Sequence, residues 1–200
     1  SGATRIARAS LAGLRLPAPG APWDWGALAL DSGVLEAVES DGDQGDRLGI
    51  GRVAVEGYAP GILRAATIEG ATLNRSLPDG RVSVARLGRL TATGLVLPAP
   101  GAVLDPLVTR ADAAGMEELS IDDPANGVVL ALGRLDVREW GEGRSTAAEI
   151  AGLSVAVPET AAGPLAMRLG RAAMTGVPLR DTIAAFLAGV VPARIPPGAW

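Results

Sequence analysis

Gly13-Leu14-Arg15-Leu16-Pro17-Ala18-Pro19-Gly20-Ala21 returns later in the chain as Gly94-Leu95-Val96-Leu97-Pro98-Ala99-Pro100-Gly101-Ala102, with eight of nine letters kept at a shift of 81. The register then holds at 82. Leu48, Ile50, Gly51, Arg52, Val53 and Val55 map onto Leu130, Leu132, Gly133, Arg134, Leu135 and Val137. Ile68 and Gly70 map onto Ile150 and Gly152, and Arg86-Leu87-Gly88-Arg89 returns letter for letter as Arg168-Leu169-Gly170-Arg171. Shared composition would not keep one shift over so many separate matches. The chain is internally duplicated. A third copy opens near the end, where Thr175-Gly176-Val177 corresponds to Thr93-Gly94-Leu95 and, once a six-residue Pro-Ala-Pro-Gly-type insert is dropped, Asp181-Thr182 corresponds to Asp105-Pro106.

This defines one repeat-built domain over 1–200. Repeat unit 1 is 14–95 and repeat unit 2 is 96–177. Residues 178–200 read as the start of a third unit or a C-terminal cap helix.

Within a unit, the local signals predict a short helix followed by four strands. Asp105 suits an N-cap, Pro106 the first helical position and Gly115 the position after the last turn, which predicts a helix from Asp105 to about Ala114. Asp24 and Gly33 bracket the same helix in the first unit, and Asp181 and Gly189 in the third, where Ile183, Ala184, Phe186 and Leu187 give an apolar face. The strands of the first unit are expected at Val34–Ser40, Arg47–Tyr58, Leu63–Asn74 and Arg81–Leu97. Connections rich in Gly, Asp and Pro, such as Ala59-Pro60-Gly61 and Leu77-Pro78-Asp79-Gly80, are too short for parallel crossovers and imply antiparallel neighbours. The strand alternation slips at Gly51-Arg52 and again at Gly133-Arg134, which reads as a β-bulge that bends the sheet. The expected fold class is mainly β (α+β): a curved antiparallel sheet built from two tandem repeats of about 82 residues, each a short helix plus a four-stranded meander.

Composition narrows the chemistry. The chain has 200 residues, 48% of them hydrophobic and only 3% aromatic, so its apolar surfaces must be built from Leu, Val, Ile and Ala. All 18 basic residues are Arg, a usage that follows GC-rich coding, and the formal net charge of -4 argues against a general nucleic-acid binder. The absence of His, Lys and Cys excludes Ser-His-Asp and Cys-His catalysis, Schiff bases, P-loops and Cys- or His-ligated zinc. A carboxylate pair of the glycosidase kind remains as the one enzyme chemistry open, yet every Asp and Glu falls in an expected turn, cap or exposed strand position. The chain is therefore expected not to be an enzyme, and no cofactor is expected. No stretch approaches the length of a membrane-spanning helix; the longest apolar run is Ile183–Pro192. Ser1-Gly2-Ala3 reads as a tag remnant, which leaves the presence of a native signal peptide open.

Three groups of residues carry candidate chemistry. Asp41, Asp43 and Asp46 could hold calcium, but Gly45 stands where an EF-hand needs a third acid; with Asp122 and Asp123 at the equivalent turn, the group reads as an acidic hairpin tip, and no metal is expected. Arg8, Arg52, Arg89, Arg134 and Arg171 occupy equivalent places. Arg52, Arg89, Arg134 and Arg171 are candidate contacts for an anionic group, set against the plainer reading that such arginines pair with nearby Asp and Glu on the solvent face. Trp23, Trp25, Trp140 and Trp200 stand out in an aromatic-poor chain; Trp23 and Trp25 read as staples between helix and sheet, with a stacking platform as the alternative. Tyr58, at a strand end, reads as packing.

The strand Leu90–Pro98, which closes on Gly-Leu-Val-Leu-Pro, and the hairpin Glu118–Val137, with its Asp-Pro-Ala-Asn-Gly turn and Leu-Gly-Arg-Leu sequence, resemble the repeated strands of AsmA/TamB-like bacterial envelope proteins. The resemblance implies an extracytoplasmic, periplasmic location, a curved sheet with an apolar groove, and a part in moving lipid between membranes. The leading expectation is a non-enzymatic envelope module that binds or conducts an apolar ligand, with lipid or another envelope protein as partner. The rival is a structural or protein-interaction scaffold whose core is filled by its own helices. The two differ in whether the side chains beneath Leu107, Val108, Ile183 and Phe186 leave space.

Overall fold

The computed structural model describes residues 3–16, 28–42, 45–96, 110–141, 146–157 and 163–177. Nine strands follow one another in these residues: β1 (Thr4–Ala12), β2 (Leu30–Asp41), β3 (Arg47–Ala59), β4 (Ile62–Ser76), β5 (Val82–Val96), β6 (Ala111–Asp123), β7 (Val128–Trp140), β8 (Thr146–Val157) and β9 (Leu165–Val177). They form one sheet in chain order, and all neighbours are antiparallel.

The turn chemistry explains the meander. Between β4 and β5, the Arg81 backbone N–H donates to Asp79 Oδ1 at 3.0 Å, the Leu77 N–H donates to the Arg81 carbonyl at 2.9 Å, and Gly80 takes the left-handed conformation at φ 83°. Between β6 and β7, Asp123 accepts from the Ala125 N–H at 3.1 Å and from Asn126 Nδ2 at 2.7 Å. Each turn returns the chain beside the strand it has just left.

The expected helices are not found in the described residues. Leu30 to Gly33, expected to end the first helix, are the opening of β2, and Ala111 to Ala114 are the opening of β6. Gly33, read as the residue that stops a helix, is paired instead with Leu11 and Val55, and Gly115 with Thr91 and Asp136. Capping letters and alanine content are weak local preferences, and pairing with a strand on each side overrides them. The fold of the described residues is all-β, not α+β. Residues 24–27 and 105–109 and the whole third helix lie outside the described residues. So do Leu107, Val108, Ile183 and Phe186, on which the contrast between ligand binding and a self-filled core was to turn.

The four strands expected in the first unit fall on β2 to β5, and β6 to β9 repeat them. Backbone geometry repeats too. Left-handed residues recur at the 81- or 82-residue shift: Gly13 and Gly94, Ala37 and Glu118, Gly57 and Glu139, Gly70 and Gly152.

These residues mark two creases: the first crosses the sheet from edge to edge, and the second runs from the end of β1 to β7. The first runs through Ala7, Ala37, Gly51, Gly70, Gly88, Glu118, Gly133, Gly152 and Gly170, which face one another in sequence, and each of the eight ladders skips a pair there. Left-handed backbone falls on every second strand along it: Ala37, Gly70, Glu118 and Gly152. The second crease passes through Gly13, Asp31, Gly57, Arg64, Gly94, Asp112 and Glu139, with left-handed backbone on the other set of strands. The register on either side of the first crease is unchanged; Val53 pairs with Ile68 and Ile50 with Ala71. The slip at Gly51 and Gly133 is therefore real, but no residue is inserted. Facing positions on two strands change conformation together. A left-handed residue inside a strand turns its direction and moves the next side chain to the other face.

The slip decides what each face presents. Along β7, the apolar residues Leu130, Leu132, Leu135, Val137 and Trp140 are sheltered, as are Val128, Ala131 and Asp136, while Val129, Gly133, Arg134, Arg138 and Glu139 are exposed. A spacing of 2, 3, 2, 3 keeps the apolar residues on one face across both creases.

Candidate functional site

Because the creases align, the apolar residues line up from strand to strand. One row runs Ile6, Val38, Ile50, Ala71, Leu87, Leu119, Leu132, Leu153, Leu169. On the far side of the first crease a second row runs Ala9, Leu35, Val53, Ile68, Leu90, Met116, Leu135, Ile150, Ala172. Both rows are apolar at every strand. Among the described residues the substantial contacts between elements join sheet neighbours only, and no second layer covers this face. Among the described residues no large side chain is fully buried, and the buried hydrophobic ones are Leu28, Ala111, Val137 and Ala148. Sheets normally bury such a face against another layer.

The face is dished where β5, β6 and β7 cross the second crease. Leu90, Ala92 and Leu95 of β5, Ala111, Ala114 and Met116 of β6, and Leu135, Val137 and Trp140 of β7 surround a groove of about 410 Å³. The smallness of Ala92, Ala111 and Ala114 along its middle leaves the room, while Leu, Met and Trp form its walls. Its lining carries no charged side chain. Such a surface can take hydrocarbon by desolvation and offers no group for covalent chemistry. Trp140 pairs with Ala111 in the sheet and forms one end of this wall. Trp23, Trp25 and Trp200 lie outside the described residues, and Tyr58 pairs with Leu30 and Leu63.

The opposite face carries charge in an ordered way. Arg8, Glu36, Arg52, Glu69, Arg89, Glu117, Arg134, Ala151 and Arg171 face one another in a single row across nine strands. The five equivalent arginines are thus brought together, but with a glutamate on nearly every strand between them. Arg8 lies 3.7 Å from Glu36, Arg52 3.4 Å from Glu69, Arg89 3.7 Å from Glu69 and Arg134 3.9 Å from Glu117. Where β8 has Ala151 in place of the glutamate, Glu149 two residues away reaches Arg171 at 2.9 Å. Arg134 is also held by Asp136, whose hydrogen bond pushes the guanidinium pKa up. The arrangement is a charge-alternating ladder on an exposed face, with its positive charge neutralised locally. The alternation itself was hidden in the sequence, because the glutamates sit on strands whose register the letters do not state.

A second groove, of about 610 Å³ and mixed in its lining, follows the first crease between β4 and β8, with Leu87, Leu119 and Leu132 of the apolar row on its wall. Gly70, Gly88, Gly133 and Gly152 form part of its lining, with Arg86, Glu118 and Ser120 beside them. The acidic hairpin tip is partly described. Asp41 lies 3.8 Å from Arg47, the Gly42 N–H donates to the Asp46 carbonyl at 2.7 Å, and Asp46 Oδ1 finds no partner among the described residues. Asp43 lies outside them, and no metal-ligating group of three acidic residues is found among the described residues. No helix there is long and apolar enough to cross a membrane.

No family model, curated protein or solved structure matches this chain.

Proposed function

We propose that the sheet is a non-enzymatic, extracytoplasmic envelope module of the AsmA/TamB-like kind, which binds or conducts an apolar ligand along its apolar face. Lipid is the ligand class that fits best. The observation that carries this reading is the pair of apolar rows that cross all nine strands without a polar interruption and without a covering layer among the described residues. A bound acyl chain lying across the strands would meet Leu, Ile, Val, Met or Ala at every step. Each methylene fully removed from water contributes up to about 0.8 kcal/mol, offset by the freedom lost on association, so affinity should rise with acyl-chain length. Conduction needs a surface without deep selective wells, and a row of similar aliphatic side chains provides one.

The test uses Trp140 as a reporter at the end of the groove. Phospholipid brominated on its acyl chains should quench its fluorescence, and the quench should fall in the Trp140→Phe variant. Ala114→Trp fills the middle of the groove and should lower uptake of the same lipid severalfold. Equal binding by Ala114→Trp and wild type, or no quench at all, would contradict the reading and favour the scaffold alternative.

A further inference from the structure

The charge ladder divides the strands into two classes. Odd-numbered strands carry an apolar residue, Gly or Ala, Arg, and an apolar residue, as in Leu87-Gly88-Arg89-Leu90 and Leu169-Gly170-Arg171-Ala172. Even-numbered strands carry an apolar residue, usually Glu, a left-handed residue, and an apolar residue, as in Leu35-Glu36-Ala37-Val38 and Met116-Glu117-Glu118-Leu119. Each class pairs with the other throughout the sheet.

The glycines of the odd strands have a local cause. A Cβ at Gly51 would come 3.2 Å from the Glu69 carbonyl oxygen, and one at Gly133 3.2 Å from that of Ala151. At Gly88 it would meet Glu118 Cβ at 2.9 Å and the Glu117 carbonyl oxygen at 3.3 Å. In each case the obstructing strand is the next one in the sheet. Gly170 stands at the same place on β9, and a Cβ there would meet nothing within 4 Å among the described residues. Among the described residues no strand pairs with that side of β9. Gly170 keeps a space that nothing described fills, shaped like the one that Glu117 and Glu118 fill over Gly88.

We infer that the outer edge of β9 is a docking edge for one antiparallel strand of the even class, supplied by a further unit of this repeat. The interface continues one already present. β9 is the counterpart of β5, and β5 receives β6 on the equivalent edge. The incoming strand sets a glutamate opposite Arg171, lays its left-handed residue over Gly170, and places apolar residues opposite Leu169 and Ala172. Two copies of this chain do not meet these demands edge to edge. Both outer strands, β1 and β9, are of the odd class, and joining them would set arginine against arginine. The inference does not depend on which ligand the apolar face holds.

The probe is a synthetic peptide with the sequence of β6, Ala111–Asp123. The β5–β6 register carried over to β9 sets peptide residue 117 opposite Arg171 and residue 116 opposite Ala172. The chain has no cysteine, so Ala172→Cys offers a single thiol. A peptide bearing Met116→Cys should form a disulfide with it at least tenfold more readily than peptides bearing cysteine at 114 or 118. The Glu117→Arg peptide should bind at least tenfold more weakly, and Arg171→Glu in the protein should restore it. Gly170→Val should leave the protein folded, by circular dichroism, and abolish capture. No capture of the wild-type peptide, capture without register preference, or dimerisation of the protein through β9 would overturn the inference.

Discussion

Ala37, Glu118 and Glu139 hold a left-handed backbone at φ of 50°, 57° and 53°, where a side chain is strained. That strain is tolerated because the neighbouring strands on both sides fix the crease. Ala37→Gly removes the Cβ clash and should raise stability by about 1 kcal/mol, measured by urea unfolding. Gly94 shows the reverse. It is left-handed at φ 61°, and an added Cβ would lie 2.1 Å from Asp112 Oδ2. Gly94→Ala should therefore cost about 2 kcal/mol or more, whereas Gly170→Ala, with no described atom within 4 Å of the added Cβ and no left-handed backbone, should be close to neutral. Two turn carboxylates titrate abnormally. The hydrogen bond from the Arg81 side chain holds the Asp79 carboxyl below the usual aspartate range, and that from the Asn126 side-chain amide does the same for Asp123. A pKa depressed in the folded state adds stability above the unfolded value that is lost as pH falls through the folded one. These turns should thus be insensitive between neutral pH and about pH 5 and loosen only in stronger acid. Carboxyl chemical shifts followed by NMR should show both midpoints low, with Asp79 moving up toward the usual range in Arg81→Gln, where the backbone N–H of residue 81 still holds it.

At the scale of the strand, the Arg–Glu ladder makes a charge reversal informative. Glu69 sits between Arg52 and Arg89, within 4 Å of both. Glu69→Arg places three arginines side by side and should lower stability by about 1 kcal/mol, reduced for exposure, with the difference shrinking in high salt. Urea titrations at low and high ionic strength check this. The strands themselves were legible from apolar letters and turn residues, as was the slip at Gly51. The later parts of the first two expected helices, which prove to be strand, were misread because letters such as Asp105-Pro106 and Gly115 satisfy capping rules that are purely local. Ala111 to Ala114 are extended because β5 and β7 flank them, and that information lies 20 or more residues away. The glutamates of the ladder were missed for the same reason. Glu36, Glu69 and Glu117 look like ordinary exposed positions until the register places each beside an arginine.

For the whole molecule, the 82-residue repeat announced tandem construction, and the structure resolves it further into alternating strands of two classes. The alignment of the creases is a collective property. It keeps all nine strands in phase and leaves one face apolar from β1 to β9. Exposed Leu11 and Leu165, each at 56%, carry that face out to both edges. An aliphatic surface of this extent, uncovered among the described residues, is costly in water unless something apolar rests on it, and the proposed ligand would meet that need. Native mass spectrometry of the protein purified from a bacterial host, followed by organic extraction, measures the point directly. The account predicts a stoichiometric added mass that extracts as lipid and is lost in Ala114→Trp. A clean apo mass that takes up neither added phospholipid nor sterol would contradict it.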